Sequence, residues 1–167
     1  GIFLPAGLLL CSLMSLATGT AWGTIGTIGV VLMGLGEALE IPLPLVAGMV
    51  VSGASFGDKM SPVSDTTNLA AMSAETDLYA HIKSMLYTTG PSYVLALVAF
   101  TVVGLQYADQ SLSVQNLVVL KEALASEFAI GVTALLPLAV LLVLSVRRVP
   151  AELSMLASVG VAVVLAV

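Results

Sequence analysis

A short polar segment, residues 57–68, interrupts a strongly apolar part of the chain and carries most of its candidate chemistry. It contains two carboxylates, Asp58 and Asp65. A charged side chain at the centre of a bilayer costs roughly 2.5–3.5 kcal/mol on insertion scales, and burial favours the neutral form of a carboxylate. A bound cation favours the ionised form, so one buried carboxylate can hold a proton or a cation but not both. The segment therefore predicts a site at which cations and protons compete.

Neutral oxygen atoms accompany the two carboxylates, and oxygen ligands are those that a hard cation prefers. We predict a site built around Asp65, with Asp58 as a second titratable group. The hydroxyl and amide side chains expected to contribute are Ser64, Thr66, Thr67 and Asn68. The expected direct ligands of a sodium ion are Asp65, Thr66 and Asn68.

Two simpler interpretations of this segment stay open. Asp58 and Lys59 could form an ion pair in an aqueous loop. The run from Ser64 to Thr66 is also typical of a helix N-cap, at which a side-chain oxygen accepts a hydrogen bond from the backbone.

A second polar stretch, residues 18–27, is rich in glycine and threonine and lies within an uncharged run, residues 1–36. That run is too long for one straight span of roughly 20 residues. We therefore expect a broken helix whose unwound centre presents Thr18, Thr20 and Thr24 as further polar groups. The pattern also fits close helix packing, and threonine hydroxyls often bond to the preceding helical turn.

Composition sets the class of the protein. Of its 167 residues, 59% are hydrophobic and only 9% are charged, whereas soluble domains carry about 25% charged residues. The net charge of −5, without a basic cluster, argues against a nucleic-acid partner. Cys11 is the single cysteine, which excludes an internal disulfide. The predicted fold is an all-α, polytopic membrane protein with broken or re-entrant transmembrane helices.

The apolar runs predict one transmembrane transport domain over residues 1–167. Both ends of the chain lie inside apolar runs, so we expect an interior fragment of a longer carrier. The expected spans are 3–36 (broken), 43–75 (broken or re-entrant), 90–108, 129–146 and 151–167 (truncated), with interfacial helices at 77–89 and 113–127. Within the second span, the first helix is expected to end at Phe56.

At these residues the chain resembles the NhaC family of bacterial sodium/proton antiporters, within the ion transporter superfamily. The resemblance is carried by residues 18–29 and 52–70, and residues 76–89 and 147–150 add to it. It implies a helical carrier of ten or so spans in the bacterial inner membrane that exchanges sodium for protons. Relatives that exchange malate for lactate together with protons and sodium have a similar signature, so organic-acid antiport is the alternative function.

This interpretation predicts a transporter, not an enzyme, that moves Na⁺ and H⁺ without a cofactor. Its expected partners are membrane lipid and the remaining helices of the carrier, and the sequence leaves homo-oligomer formation open. An intramembrane aspartyl protease is disfavoured, because its two carboxylates must face each other closely. Here both carboxylates lie on one irregular stretch. A purely structural subunit would leave the polar breaks unexplained.

Overall fold

The computed structural model describes residues 1–107, 136–147, 149 and 151–166. Regular structure within these ranges is entirely helical, which confirms the predicted all-α class. The chain divides into two compact units, Gly1–Ser111 and Leu112–Val167. The first unit contains α1 (Phe3–Thr18), α2 (Ala21–Thr24), a π-helical turn (Ile25–Gly29), α3 (Val30–Ala38), α4 (Leu43–Met60), α5 (Asp65–Ser73) and α6 (Leu78–Leu105). The second unit contains α7 (Leu136–Val146) and α8 (Ala151–Ala166).

Close packing of α1 against α4 forms the frame of the first unit. A Cβ atom on Gly57 of α4 would collide with the backbone carbonyl oxygen of Ser12 and lie 2.7 Å from the backbone nitrogen of Leu16. The hydroxyl of Ser15 donates a hydrogen bond of 2.6 Å to the carbonyl oxygen of Ala54. Small residues and interhelical hydrogen bonds are the usual means of association between helices in lipid. The two helices are therefore held backbone to backbone.

Buried apolar side chains extend this contact toward α3. They come from α1, α3, α4 and the connection before α4: Leu4, Leu8, Cys11, Leu32, Ile41, Val46, Met49 and Val50. Interdigitated side chains of this kind resist changes in volume, so the elements they join keep their relative positions. This core joins the earlier parts of α1 and α4, and the contacts of Ser15 and Gly57 continue the packing toward the C-terminal ends, which carry the polar segments.

The first predicted break occurs, but it is shorter than expected. Gly19 follows α1 in the left-handed conformation (φ +69°), and its amide bonds to the carbonyl oxygen of Ser15 at 2.8 Å. Thr20 is extended, and its hydroxyl oxygen accepts a hydrogen bond of 3.2 Å from the amide of Gly23. That N-cap restarts the helix at once, so the unwound stretch is two residues long rather than ten.

The second predicted break begins later than the sequence indicated. Helix α4 continues past Phe56 to Met60. Gly57 lies inside this helix, where the absence of a side chain allows α1 to pack closely against it. The break is a loop of four residues, 61–64, that contains Pro62, and α5 follows directly. Proline cannot continue a helix without losing a backbone donor.

Where two segments were predicted at 77–89 and 90–108, the structure has the single helix α6. Asp77 caps it, with its carboxylate accepting from the amides of Tyr79 and Ala80. Pro91 lies inside the helix without ending it. Proline is tolerated inside membrane helices when serine or threonine side chains offer replacement bonds, and the Ser92 hydroxyl donates to the carbonyl oxygen of Thr88 at 3.1 Å.

Two helical stretches among the described residues are long and apolar enough to cross a membrane, Ala21–Ala38 and Leu78–Leu105. The first of these comprises α2, the π-helical turn and α3. Within the second unit, α7 and α8 are joined by a hydrogen bond of 2.8 Å from the Ser158 hydroxyl to the carbonyl oxygen of Pro137. The predicted interfacial helix at 113–127 and the first part of the predicted span 129–146 lie outside the described residues.

Candidate ion-binding site

Asp58, in the last turn of α4, is the carboxylate around which the polar segment is organised. Its Oδ1 atom accepts a hydrogen bond of 2.8 Å from the hydroxyl of Ser64, and its Oδ2 atom accepts one of 3.3 Å from Thr66. The two hydroxyl oxygens are themselves 2.9 Å apart. Asp58 is half-buried, whereas Ser64 is fully buried. The side chains of Asp58, Ser64 and Thr66 thus form one hydrogen-bonded cluster, which we call the Asp58 cluster.

Ser64 occupies the N-cap position of α5 but does not cap the helix with its side chain. Its hydroxyl donates to Asp58 instead. A capping bond contributes about 1 kcal/mol to a helix, and a hydrogen bond to a charged group contributes roughly 1.5–3 kcal/mol. The stronger bond is the one formed, so the simple N-cap interpretation of this serine is not what the structure shows.

Asp65 lies apart from this cluster. It is the first residue of α5, its side chain is exposed, and its Oδ1 atom is 2.7 Å from the amide nitrogen of Thr66, which donates to it. A carboxylate at this position interacts favourably with the positive end of the helix dipole. The geometry therefore favours Asp58 over Asp65 as the centre of the site, and the ligand role of Asp65 stays a prediction.

Thr67 and Asn68 fix the shape of the loop. The Thr67 hydroxyl lies 3.3 Å from the carbonyl oxygen of Asp58 and 3.2 Å from that of Lys59, so it bonds the C-terminal end of α4. The Asn68 amide donates to the carbonyl oxygens of Pro62, at 2.9 Å, and Ser64, at 2.7 Å. The side-chain donors of Thr67 and Asn68 therefore hold the C-terminal end of α4 and the N-terminal end of α5 together.

The two polar breaks contact each other. A Cβ atom on Gly19 would lie 2.8 Å from the carbonyl carbon of Val63 and 2.9 Å from the amide nitrogen of Ser64. The buried Ser61 hydroxyl donates a bond of 2.7 Å to the carbonyl oxygen of Leu16. The end of α1 therefore positions the loop that carries Ser64. Sequence reasoning missed Ser61, and its place directly after a helix, among other hydroxyl residues, gave no separate signal.

The three threonines of the first break form local bonds. Thr18 donates to the carbonyl oxygen of Met14 at 2.9 Å, and Thr24, which is buried, donates to that of Thr20 at 2.9 Å. Thr20 caps α2 with its own side chain. Each hydroxyl bonds within its own turn, and none of these bonds reaches the Asp58 cluster. Their predicted role as ion ligands stays a prediction.

The C-terminal end of α4 and the side chains beside it determine the electrostatic potential of the site. The C-terminal end of α4 carries partial negative charge on its last carbonyl groups and attracts cations. Asp58 adds a full negative charge when ionised, and hydroxyl oxygens keep lone pairs for a cation even while they donate. Lys59 is not part of this arrangement, because its side chain lines a groove between α4 and α6. The arrangement can hold one cation or one proton.

Comparison with known proteins agrees with this chemistry. The sequence model of the Na⁺/H⁺ antiporter family matches residues 2–67 and 53–167. The malate-2H⁺/Na⁺-lactate antiporter of Bacillus subtilis is 46% identical over 149 residues, which are 89% of this chain and 32% of that protein. The Na⁺/H⁺ antiporter NhaC of Alkalihalophilus pseudofirmus is 43% identical over 148 residues, 89% of this chain and 32% of that protein.

A more distant relative is the arginine/ornithine antiporter ArcD of Halobacterium salinarum, 35% identical over 152 residues, 90% of this chain and 31% of that protein. The chain spans about a third of the length of these curated relatives. No solved structure matches it. These matches confirm the resemblance seen in the sequence. With residues 2–167 covered by the two matched segments, the chain belongs to the Na⁺/H⁺ antiporter family.

Proposed function

We propose that this protein exchanges sodium for protons across the membrane and that Asp58 holds the two ions in turn. The observation that carries the proposal is the Asp58 cluster, in which the hydroxyls of Ser64 and Thr66 converge on one half-buried carboxylate. Two relatives are named as Na⁺/H⁺ antiporters of the NhaC type, one of them 43% identical. A carboxylate with neutral oxygen neighbours at a helix break suits a hard monovalent cation.

In this mechanism the ionised Asp58 binds sodium together with the hydroxyl oxygens of Ser64 and Thr66. A proton from the opposite side neutralises the carboxylate and removes its attraction for the cation. Because α1 and the loop at 61–64 are bonded together, the cluster would move with the end of α1 when access changes sides. Alternate exposure of this one carboxylate couples the two fluxes.

Asp65, Thr67 and Asn68 take supporting roles in the proposal, as do Thr18, Thr20 and Thr24 of the first break. Exposed Asp65 attracts cations toward the N-terminal end of α5, and Asn68 keeps the loop closed through its bonds to backbone carbonyls.

We place the protein in the bacterial inner membrane as a multi-pass carrier. Helices beyond this chain would enclose the cluster on the side that is open here.

The test is sodium-dependent proton flux in proteoliposomes that contain the full-length protein. We expect Asp58→Asn to abolish the flux, because the neutral amide can neither titrate nor neutralise a cation. Asp65→Asn should lower the flux at low sodium concentration and leave some exchange at high concentration, since its carboxylate only attracts the ion. Asp77→Asn is the matched control, because asparagine also caps a helix well and Asp77 lies at the start of α6.

Two outcomes decide between the carboxylates. Unchanged exchange in Asp58→Asn would refute the proposal for Asp58. Complete loss in Asp65→Asn with normal exchange in Asp58→Asn would move the site to Asp65, as the sequence alone predicted. Equal loss in all three variants, the control included, would show that the assay reports folding instead of ion binding.

Organic-acid exchange is the second candidate function. It is favoured by the 46% identity to a relative named as a malate-2H⁺/Na⁺-lactate antiporter. Counterflow of labelled L-lactate against internal L-malate in the same proteoliposomes tests it directly. Accumulation of label that depends on internal malate would establish it, and sodium-dependent proton flux without any counterflow would exclude it.

A further inference from the structure

Lys59 directly follows Asp58 in the last turn of α4. Its side chain is exposed and lines the groove between α4 and α6. Within the part of the chain that the structure describes, Lys59 forms neither a hydrogen bond nor an ion pair. The other polar residues that line the groove are uncharged: Ser52, Ser55, Thr89, Ser92 and Tyr93. No described residue of the groove therefore neutralises the positive charge of Lys59.

Asp58 and Lys59 are adjacent in the chain but do not pair with each other. Their Cα atoms are about 3.8 Å apart, as for any two residues joined by a trans peptide bond, but consecutive side chains of a helix point about 100° apart. The Asp58 carboxylate faces the loop and α5, where Ser64 and Thr66 donate to it. A positive charge thus lies beside the Asp58 cluster without binding its carboxylate.

The oxygen ligands of the Asp58 cluster do not by themselves distinguish Na⁺ from a divalent ion. Carboxylate oxygens and neutral oxygens are also the ligands of Ca²⁺. At the same distance, a carboxylate attracts a divalent ion twice as strongly as a monovalent ion. A sodium site of this composition therefore needs a second feature that offsets the electrostatic advantage of the divalent ion.

We propose that Lys59 is a specificity-determining residue whose positive charge restricts the Asp58 cluster to monovalent cations. The charges of ionised Asp58 and Lys59 sum to zero, which offsets the extra attraction for a divalent ion. The larger cost of removing that ion from water remains. The inference rests on the sodium/proton function proposed above and adds the basis of its ion selectivity.

Repulsion by Lys59 has a quantitative consequence for the ions that compete at Asp58. The repulsion energy is proportional to the charge of the ion. Removal of the lysine charge therefore changes the logarithm of the affinity for Ca²⁺ twice as much as that of the affinity for Na⁺. Because Na⁺ and H⁺ carry the same charge, the competition between these two ions is unchanged.

The size of the effect follows from the separation and the exposure of the lysine. Two unit charges about 10 Å apart, at an effective dielectric constant of about 20, change a binding constant roughly tenfold. Lys59 is exposed, and screening by water reduces this factor to about threefold for a monovalent ion. The square of that factor, about tenfold, applies to a divalent ion.

A lysine in the last turn of a helix also stabilises the helix through its dipole. That role alone predicts a lower Tm for a neutral variant without a change in ion selectivity, because a less stable helix end weakens the binding of both ions. The ratio of the Ca²⁺ and Na⁺ affinities therefore separates a role in selectivity from a role in stability.

The test is thermal unfolding of the purified full-length protein in detergent, at alkaline pH and constant ionic strength, with sodium chloride or calcium chloride as the probe. An ion that binds the folded state raises Tm according to its concentration relative to its Kd. In Lys59→Gln we expect the Kd of Ca²⁺ to fall about tenfold and that of Na⁺ about threefold. Lys59→Arg keeps the charge and should bind both ions as the unmodified protein does.

Lys83→Gln is the matched control, because it removes the same charge from an exposed position of α6 that does not line the groove. It should leave both dissociation constants unchanged. An unchanged ratio of the two constants in Lys59→Gln would overturn the proposal, and so would an equal change in Lys83→Gln.

A double variant shows whether Ca²⁺ uses the Asp58 cluster. The tighter Ca²⁺ binding of Lys59→Gln should disappear when Asp58→Asn is added, because the amide carries no charge for the ion. Tighter binding that persists in the double variant would place Ca²⁺ elsewhere and would also overturn the proposal.

Chemical restoration of the charge keeps the test valid if Lys59→Gln does not fold. Lys59→Cys can be labelled at its exposed position, whereas Cys11, the single native cysteine, is buried. Aminoethyl methanethiosulfonate returns a positive charge to position 59, and methyl methanethiosulfonate adds a neutral group. We expect only the charged label to restore weak Ca²⁺ binding, and equal Ca²⁺ binding with both labels would contradict the role of charge.

Sodium-dependent proton flux of the same preparation in proteoliposomes separates this inference from the proposed function. Proton flux together with an unchanged ratio of Ca²⁺ and Na⁺ affinities in Lys59→Gln would reject the role of Lys59 and keep the antiporter. A changed ratio in a protein without sodium-dependent proton flux would keep the role of Lys59 and reject sodium/proton exchange.

Discussion

At the scale of single residues, the chemistry of the site follows from residue type, but the choice of the central carboxylate does not. The sequence places Asp58 and Asp65 seven positions apart with similar polar neighbours. In the folded chain only Asp58 collects the hydroxyls of Ser64 and Thr66. That choice depends on the path of the loop after α4. Contacts with α1 determine this path, so the spacing of the two aspartates in the sequence does not reveal which one is central.

Ser64 gives the sharpest residue-scale prediction. Ser64→Ala removes the 2.8 Å hydrogen bond to the carboxylate of Asp58 and, in the proposed site, one neutral oxygen ligand. Because the Ser64 hydroxyl oxygen is one of the ligands in the proposed site, we expect its loss to raise the sodium concentration for half-maximal flux about tenfold, which corresponds to about 1.4 kcal/mol of binding free energy. The measurement is the sodium dependence of proton flux in proteoliposomes.

The control for this change is Ser73→Ala, because Ser73 is exposed at the end of α5 and away from Asp58. It should leave the sodium dependence unchanged. A normal half-maximal sodium concentration in Ser64→Ala would show that the hydroxyl shapes the loop without binding the ion.

At the scale of elements, the sequence located both breaks but misjudged their extent. Glycine and proline signals placed them correctly at Gly19 and Pro62. Gly57 was expected to end α4, yet it lies within the helix because it serves the contact with α1. Pro91 lies inside α6, where the sequence predicted two segments. A glycine that would end a helix in water can lie inside a membrane helix and allow a second helix to pack closely against it. The presence of that partner helix determines which of the two roles the glycine has.

Gly57 tests the importance of the α1–α4 contact. In Gly57→Ala the new Cβ atom would collide with the carbonyl oxygen of Ser12 and lie 2.7 Å from the backbone nitrogen of Leu16. Backbone atoms cannot rotate away, so α1 and α4 must separate, at a cost of about 1–3 kcal/mol. We expect a lower Tm in detergent and loss of sodium exchange.

Gly34→Ala is the matched control for that change. A Cβ atom on Gly34 meets nothing within 4 Å, and the residue lies inside α3. Alanine is up to about 1 kcal/mol more favourable than glycine within a helix, so this variant should be as stable as the unmodified protein or more so. Equal destabilisation of both variants would contradict the packing argument.

Gly19 tests the contact between the two breaks. Its φ of +69° is unfavourable for a residue with a side chain, and a Cβ atom would lie 2.8 Å from the carbonyl carbon of Val63. We expect Gly19→Ala to cost about 1–2 kcal/mol from the left-handed conformation alone and to displace the loop that carries Ser64. Sodium affinity should therefore fall together with Tm, whereas a lower Tm with normal sodium affinity would show that the two breaks act independently.

At the scale of the whole molecule, the sequence predicted the membrane class, the all-α fold and the family, because these follow from composition and from long polar signatures. It did not predict that the break after α1 packs against the loop after α4, because that contact joins Gly19 to Val63 and Ser64, more than forty positions away. The α4–α6 groove was missed for a similar reason. The spacing of Ser52, Ser55 and Lys59 is visible in the sequence, but their proximity to Thr89 and Ser92 is not.

The proposed exchange of sodium for protons makes a prediction about pH. If Asp58 holds either sodium or one proton, the two ions compete, and lowering the pH must raise the sodium concentration needed for half-maximal flux. Once the free site is mostly protonated, that concentration should rise about tenfold for each pH unit, since one proton is displaced per sodium bound. The maximal flux at saturating sodium should stay constant when the pH is varied only on the side from which sodium binds. Two separate sites for sodium and protons would give the opposite result, a maximal flux that changes with pH at a constant half-maximal sodium concentration. Asp65→Asn should keep the competitive pattern, because in our proposal the residue that exchanges the ions is Asp58.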